Sequence, residues 1–110
     1  MHGDSVLQDI KTLLNGREES DLAAIERTLT DGYAKALSIE AERWRIERRI
    51  GEVASALGRG DVAANTQEIV ALAQRLEAAD GDLVALRDLL ASLRGRADAA
   101  RAGAARAATA

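Results

Sequence analysis

Residues Ile69–Ala100, IVALAQRLEAADGDLVALRDLLASLRGRADAA, decide the fold. Ile69, Leu72, Leu76, Ala79, Leu83, Leu86, Leu90, Leu93, Ala97 and Ala100 recur at alternating spacings of three and four, and every one is apolar. In a helix this spacing keeps a narrow apolar edge in line over more than four heptads, and the pattern extends back through Asn65 to Val62. It is the a/d seam of a coiled coil, which cannot be buried without a partner helix.

The partner lies on the other side of Gly58-Arg59-Gly60-Asp61. Upstream, Leu22, Leu29, Ala36, Arg43, Ile50 and Leu57 form one heptad row, and Ile25, Gly32, Ile39, Ile46, Val53 and Gly60 form the other. The spacing predicts a first long helix over about 21–57 and a second over about 62–98, with 58–61 as the turn. Asp61 or Asn65 can cap the second helix, and Glu68 stands where it could complete a capping box with Asn65. At about 37 residues each the helices are roughly 55 Å long, and so short a connection makes them antiparallel. Counting outward from the turn pairs Ile50 with Ile69, Ile39 with Ala79, Ala36 with Leu83 and Leu29 with Leu90. Residues 1–20 read as a short amphipathic helix and a linker. Ser5 is the cap, Val6, Ile10, Leu13 and Leu14 are the apolar face, and Asn15-Gly16 is the stop. Ser20 or Asp21 caps the first long helix. Residues 99–110 read as a flexible Ala/Arg tail.

Composition agrees with an all-α fold. The 110 residues contain no Pro, Cys or Phe, one Trp and one Tyr, and 47% are apolar. Ala, Leu, Arg and Glu head the helix scale and no proline interrupts them, while the aromatic and β-branched alternation of a sheet is missing. A net charge of −3 with 30% charged residues is a balanced surface. No apolar run reaches the length of about 18 residues that suggests a membrane span, and no secretory leader is apparent, so the expected location is cytoplasmic. Without cysteine there is neither a disulfide nor thiol chemistry.

A two-helix hairpin is thin, and the first long helix carries apolar residues beyond its seam. Tyr33, Leu37 and Trp44 form a ladder beside it. The N-terminal helix can fold over the start of this ladder. Trp44, however, lies about 34 Å along the axis from Asp21, beyond the roughly 27 Å that Val6 can reach through its linker. A second copy of the chain explains Trp44 better. A two-fold axis near Ser38–Ile39 brings Tyr33 of one chain to Trp44 of the other, so two hairpins form a homodimeric four-helix bundle. The expected interface is therefore Tyr33, Leu37 and Trp44, with Val6, Ile10, Leu13 and Leu14 forming either a cover or a detachable partner-binding segment. The plainer alternative leaves Trp44 half-exposed on a monomer.

Other motifs reduce to local structure. Arg43, Arg45, Arg48 and Arg49 surround Trp44, an arrangement that single-strand binders use. Here Glu40, Glu42, Glu47 and Glu52 are interleaved at helix-pairing spacings, and a phosphate-binding face needs uncompensated charge. Arg43 itself sits in the seam, where it snorkels outward or helps to set register. Gly58-Arg59-Gly60-Asp61-Val62-Ala63 loosely matches a dinucleotide fingerprint, but it follows a helix where that motif follows a strand. The Arg59-Gly60-Asp61 tripeptide it contains reads as a coincidence of the turn. His2, the single histidine, reads as part of a loose terminus. With no further His and no Cys, neither a zinc site nor a Glu-x-x-His di-metal site is expected. No nucleophile–base set can be assembled, and no catalytic residue or cofactor is expected.

The segment from Glu26 to Leu37, ERTLTDGYAKAL, continuing as Glu40-Ala41-Glu42-Arg43-Trp44-Arg45, resembles short helical proteins of actinobacteria. The preference for Arg over Lys (Lys11 and Lys35 are the two lysines) and the abundant Ala fit a GC-rich source. The resemblance spans residues 22–53 and implies a helical fold but no activity. The function expected from the sequence is non-enzymatic: a coiled-coil scaffold or adaptor acting by self-association or partner docking. The alternative is a nucleic-acid-associated accessory protein using the Arg-rich helix face and the tail.

Overall fold

A computed structural model describes residues 2–15 and 22–109, and all the described segments fall within or between three helices. They are α1 (His2–Asn15), α2 (Leu22–Ala56) and α3 (Val62–Thr109). The chain is all-α, with no strand among the described residues. The expected caps at Ser20 and Asp21 and the 17–20 linker lie outside the described residues.

The turn after α2 closes by local hydrogen bonds. Leu57 N donates to Ala54 O (3.3 Å) and Arg59 N to Ala56 O (2.9 Å), while the Arg59 guanidinium reaches Ser55 O at 3.3 Å. These donors occupy carbonyls that the end of a helix leaves free. No glycine among the described residues has a positive φ, so the turn forms without a left-handed cap. Of the two candidate caps for α3, Asp61 serves. Its carboxylate accepts from Ala64 N at 3.2 Å, the geometry of an N-cap bonding the third helical residue. Asn65 N donates to Asp61 O, one turn inside the helix, and Glu68 pairs with Arg49. The Asn65–Glu68 capping box therefore does not form.

Two compact units divide the chain: residues 1–36 with 85–110, and residues 37–84. In the second unit α2 and α3 are antiparallel. Glu42 faces Arg75 (3.4 Å), and seven residues on, Arg49 faces Glu68 (2.9 Å), seven residues back along α3. Its core is Ile46, Val53 and Leu72, with Ile50, Ile69 and Leu76 packed against them. All six belong to the heptad rows read from the sequence.

The first unit has three helices. Glu26 pairs with Arg101 (2.9 Å) and Tyr33 with Arg94 (3.3 Å), again seven residues forward on α2 for seven back on α3. Ile25, Leu29, Ala36, Leu86, Leu90, Leu93 and Ala97 are buried, as is Ile10 of α1. Leu90 packs against Gly32. The reason is space: a Cβ on Gly32 would collide with Leu90 Cδ2 and lie 3.4 Å from Ile10 Cδ1. The missing side chain is the hole that Leu90 enters.

Helix boundaries depart from the sequence reading at both ends. α1 includes His2, so Ser5 falls inside it and not at its start. α3 continues through the Ala/Arg stretch to Thr109, about one and a half heptads past Asp98. Ala and Arg are strong helix formers, and Arg101 ties this stretch to Glu26 and to Asp98 (3.2 Å).

Candidate functional site

The residues expected to meet partners fall into two groups. On α2, Tyr33, Leu37 and Trp44 are exposed at 42%, 67% and 59%, although each is a large apolar side chain on a helix whose seam is filled. Leu37 and Trp44, seven residues apart in the second unit, share one face of α2, while Tyr33 belongs to the first unit. The face is not bare of charge. The Arg48 guanidinium lies 5.3 Å from the Trp44 ring centroid, a cation–π contact worth about 0.5–1 kcal/mol at an exposed site. In the first unit the Tyr33 hydroxyl accepts from Arg94, and this bond raises the Arg94 pKa above its ordinary value. Val84 of α3, which the sequence reading passed over, is 60% exposed and belongs with Leu37 and Trp44 to the second unit.

On α1 the arrangement is the reverse. Ile10 is fully buried, and Val6, Leu13 and Leu14 are half-buried, as is Leu7, which the i, i+4 reading left out. The sequence-expected face therefore packs inward. Arg96 completes the contact: its Nη1 donates to Leu13 O and its Nη2 to Leu14 O. Nothing in the heptad pattern marks Arg96, because a guanidinium bound to main-chain carbonyls has no characteristic spacing to its partners.

Three of the four arginines around Trp44, namely Arg43, Arg48 and Arg49, are engaged by carboxylates. Arg43 leaves the seam to meet the Asp80 carboxylate on α3 and reaches Glu47 at 3.7 Å. Its Nε is buried against Asp80 without the geometry of a directed hydrogen bond. Arg48 lies 3.6 Å from Glu52, Arg49 pairs with Glu68 and Glu52, and Arg75 pairs with Glu42. Hydrogen bonding to Glu68, then its charge, raises the Arg49 pKa. Arginine is charged at physiological pH in any case, so neither shift creates a pH switch.

Shallow, solvent-open grooves run along the described residues. One, of about 340 Å³, is lined by Glu26, Leu29, Thr30, Tyr33, Arg94 and Arg101. Another, of about 420 Å³, is lined by Glu42, Arg45, Ile46, Arg49, Leu72 and Arg75. The hydroxyls of Thr30 and Ser55 donate to carbonyls four residues back in their own helix, at 3.0 and 2.9 Å, so no base activates them. Among the described residues no group of three or more His, Cys, Asp or Glu could hold a metal ion, and no helix is long and apolar enough to cross a membrane. No family model, curated protein or solved structure matches the chain.

Proposed function

We propose that the protein works by association, as a non-enzymatic coiled-coil module whose α2 face carries the contact. Two hairpins pair about a two-fold axis near Ser38–Ile39, bringing Tyr33 of each chain to Trp44 of the other in a homodimeric four-helix bundle. The single observation that supports this reading most is the exposure of Leu37 and Trp44 on a helix whose own seam is already filled. Large apolar side chains grouped on one face are costly to leave in water, and they mark the interaction sites of small helical domains. Aromatic residues also provide much of the binding energy at interfaces.

The alternative, binding to nucleic acid, has less support. Counterion release needs cations that are free to meet phosphates, and Arg43, Arg49, Arg75 and Arg101 are each engaged by carboxylates.

Sedimentation velocity tests the proposal. The wild type is expected to run as a dimer at micromolar concentration and Trp44→Ala as a monomer with unchanged helicity. A wild type that is monomeric at micromolar concentration would remove the proposal.

A further inference from the structure

The exposed apolar side chains of the second unit come from both helices, and heptad position decides which side of the hairpin they occupy. Glu42, Arg49, Glu68 and Arg75 each stand one residue before an a position of the heptad (Arg43, Ile50, Ile69 and Leu76), and they pair with one another across α2 and α3. Equivalent positions of the two antiparallel helices therefore share one flank of the seam. Trp44 and Val84 each stand one residue after an a position, Arg43 and Leu83, and Leu37 lies one heptad before Trp44. At about 100° per residue, the residues before and after an a position fall on opposite sides of it. Leu37, Trp44 and Val84 therefore share the other flank. Asp80, four residues before Val84, lies there too, and Arg43 crosses to meet it.

The Arg43–Asp80 pair also sets the level. Leu37 lies six residues before Arg43 and Val84 four after Asp80, steps that run the same way on antiparallel helices. Leu37 and Val84 thus differ by about 3 Å along the hairpin. The two-fold axis near Ser38–Ile39 follows from side chains of α2 alone, yet Val84 of α3 falls at its level. A two-fold contact packs each helix on its own copy where it crosses the axis, so the side chain there has to meet itself. Valine packs on valine, whereas a charged residue at that point would face its own charge.

Area points to a second copy as well. With Leu37, Trp44 and Val84 exposed at 67%, 59% and 60%, the three leave roughly 350 Å² of apolar surface, over half the apolar part of the ~800 Å² that each partner buries in a standard dimer. On the other flank a partner would have to bury Glu42, Arg49, Glu68 and Arg75. We propose that Val84 is the α3 half of the dimer contact. Two hairpins stack through the Leu37–Trp44–Val84 flank, α2 on α2 and α3 on α3, with Leu37 and Val84 beside the axis and Trp44 about 10 Å along α2 from Leu37. This contact rests on the dimer proposed above and adds to it a second helix and a defined face. Glu40 lies as far beyond the axis as Leu37 lies short of it, so the stacking draws the two Glu40 carboxylates toward each other and weakens the dimer at neutral pH.

The chain has no cysteine, so single-cysteine variants of the full chain are clean probes. Val84→Cys is expected to form a covalent dimer with a short bismaleimide several times faster than Ser38→Cys. Ser38 stands at the same level but four residues before Glu42, on the other flank. Val84→Lys is expected to weaken the dimer about tenfold or more in sedimentation velocity, with helicity unchanged because the side chain is exposed in the single chain. Glu40→Gln is expected to tighten it. A dimeric wild type with Val84→Lys unchanged, or with Ser38→Cys cross-linking as fast as Val84→Cys, overturns the α3 contact and leaves the α2 dimer standing. A Glu40→Gln chain that dimerises no more tightly overturns the placement of the axis. A wild type that is monomeric at micromolar concentration removes the dimer itself, and the Leu37–Trp44–Val84 contact with it.

Discussion

The two units solve the same problem with different numbers of helices. Both begin with an α2 edge and an α3 edge that share a heptad pattern, and both align them antiparallel. The first unit adds α1, and eight of its apolar side chains are buried: Ile10, Ile25, Leu29, Ala36, Leu86, Leu90, Leu93 and Ala97. The second has two helices and buries four, Ile46, Val53, Leu72 and Leu83, while Ile50, Ile69 and Leu76 stay half-exposed. Where no third helix covers the seam, its flanks carry cross-helix pairs, Arg43–Asp80, Arg49–Glu68 and Arg75–Glu42. Such exposed pairs contribute little, well below a buried leucine. Both units carry cross-helix polar pairs, Glu26–Arg101 in the first among them, so what separates the two is the extent of burial.

The largest effect should come from removing core volume, and it should be unequal. Leu93→Ala in the first unit empties a fully buried site and is expected to cost about 2–5 kcal/mol. Leu76→Ala in the second removes a half-exposed side chain and should cost roughly half as much. Chemical denaturation followed by circular dichroism measures both. Equal losses would mean that Leu76 is covered in solution, as a second chain over the hairpin would cover it.

Glycine sharpens the contrast. Gly32→Ala places a methyl group on Leu90, and overpacking of about 1–3 kcal/mol outweighs the gain of up to about 1 kcal/mol in helix propensity. Gly81→Ala meets nothing within 4 Å, so the propensity gain stands alone and the melting temperature should rise. If both variants gain stability, Leu90 can turn aside and the Gly32 recess is softer than its geometry indicates.

The two heptad rows were legible because burial on one helix face repeats with the helical period. Ile46, Val53, Leu72, Leu86 and Leu93 could be placed inside from spacing alone. Gly32 was on the correct row, but a row does not tell a filler from a hole. What decides is which side chain enters from α3, and here it is Leu90. Arg96 had no signal at all, since its partners are main-chain carbonyls some eighty residues away. The end of α3 was missed for the opposite reason. A periodic seam fades after Ala100, yet Ala and Arg sustain a helix without one, and the Arg101 pairs anchor it. The inward packing of Ile10 followed from the amphipathic pattern of residues 6–14. The choice between cover and detachable segment did not, because periodicity carries no information about strength.

The smallest effect should lie in the second unit, at the one seam position that is charged. Arg43 interrupts a row of aliphatic side chains, its Nε is buried, and its countercharge Asp80 is half-buried. Removing one partner of a fully buried pair is costly, but Asp80 is half-exposed and returns to water, so the loss is small and the gain from an aliphatic residue in the seam can exceed it. Arg43→Leu is therefore expected to raise stability by no more than about 1 kcal/mol while leaving helicity unchanged. Its more telling consequence should be specificity. A polar residue at one seam position penalises registers and oligomers that would bury it without its partner, and an unbroken aliphatic seam removes that penalty. Sedimentation of Arg43→Leu should then show a broader distribution of species than the wild type. A single sharp species identical to the wild type would assign the choice of register to the Gly32–Leu90 fit in the first unit and leave Arg43 as a side chain that reaches Asp80 only because it cannot stay in the seam.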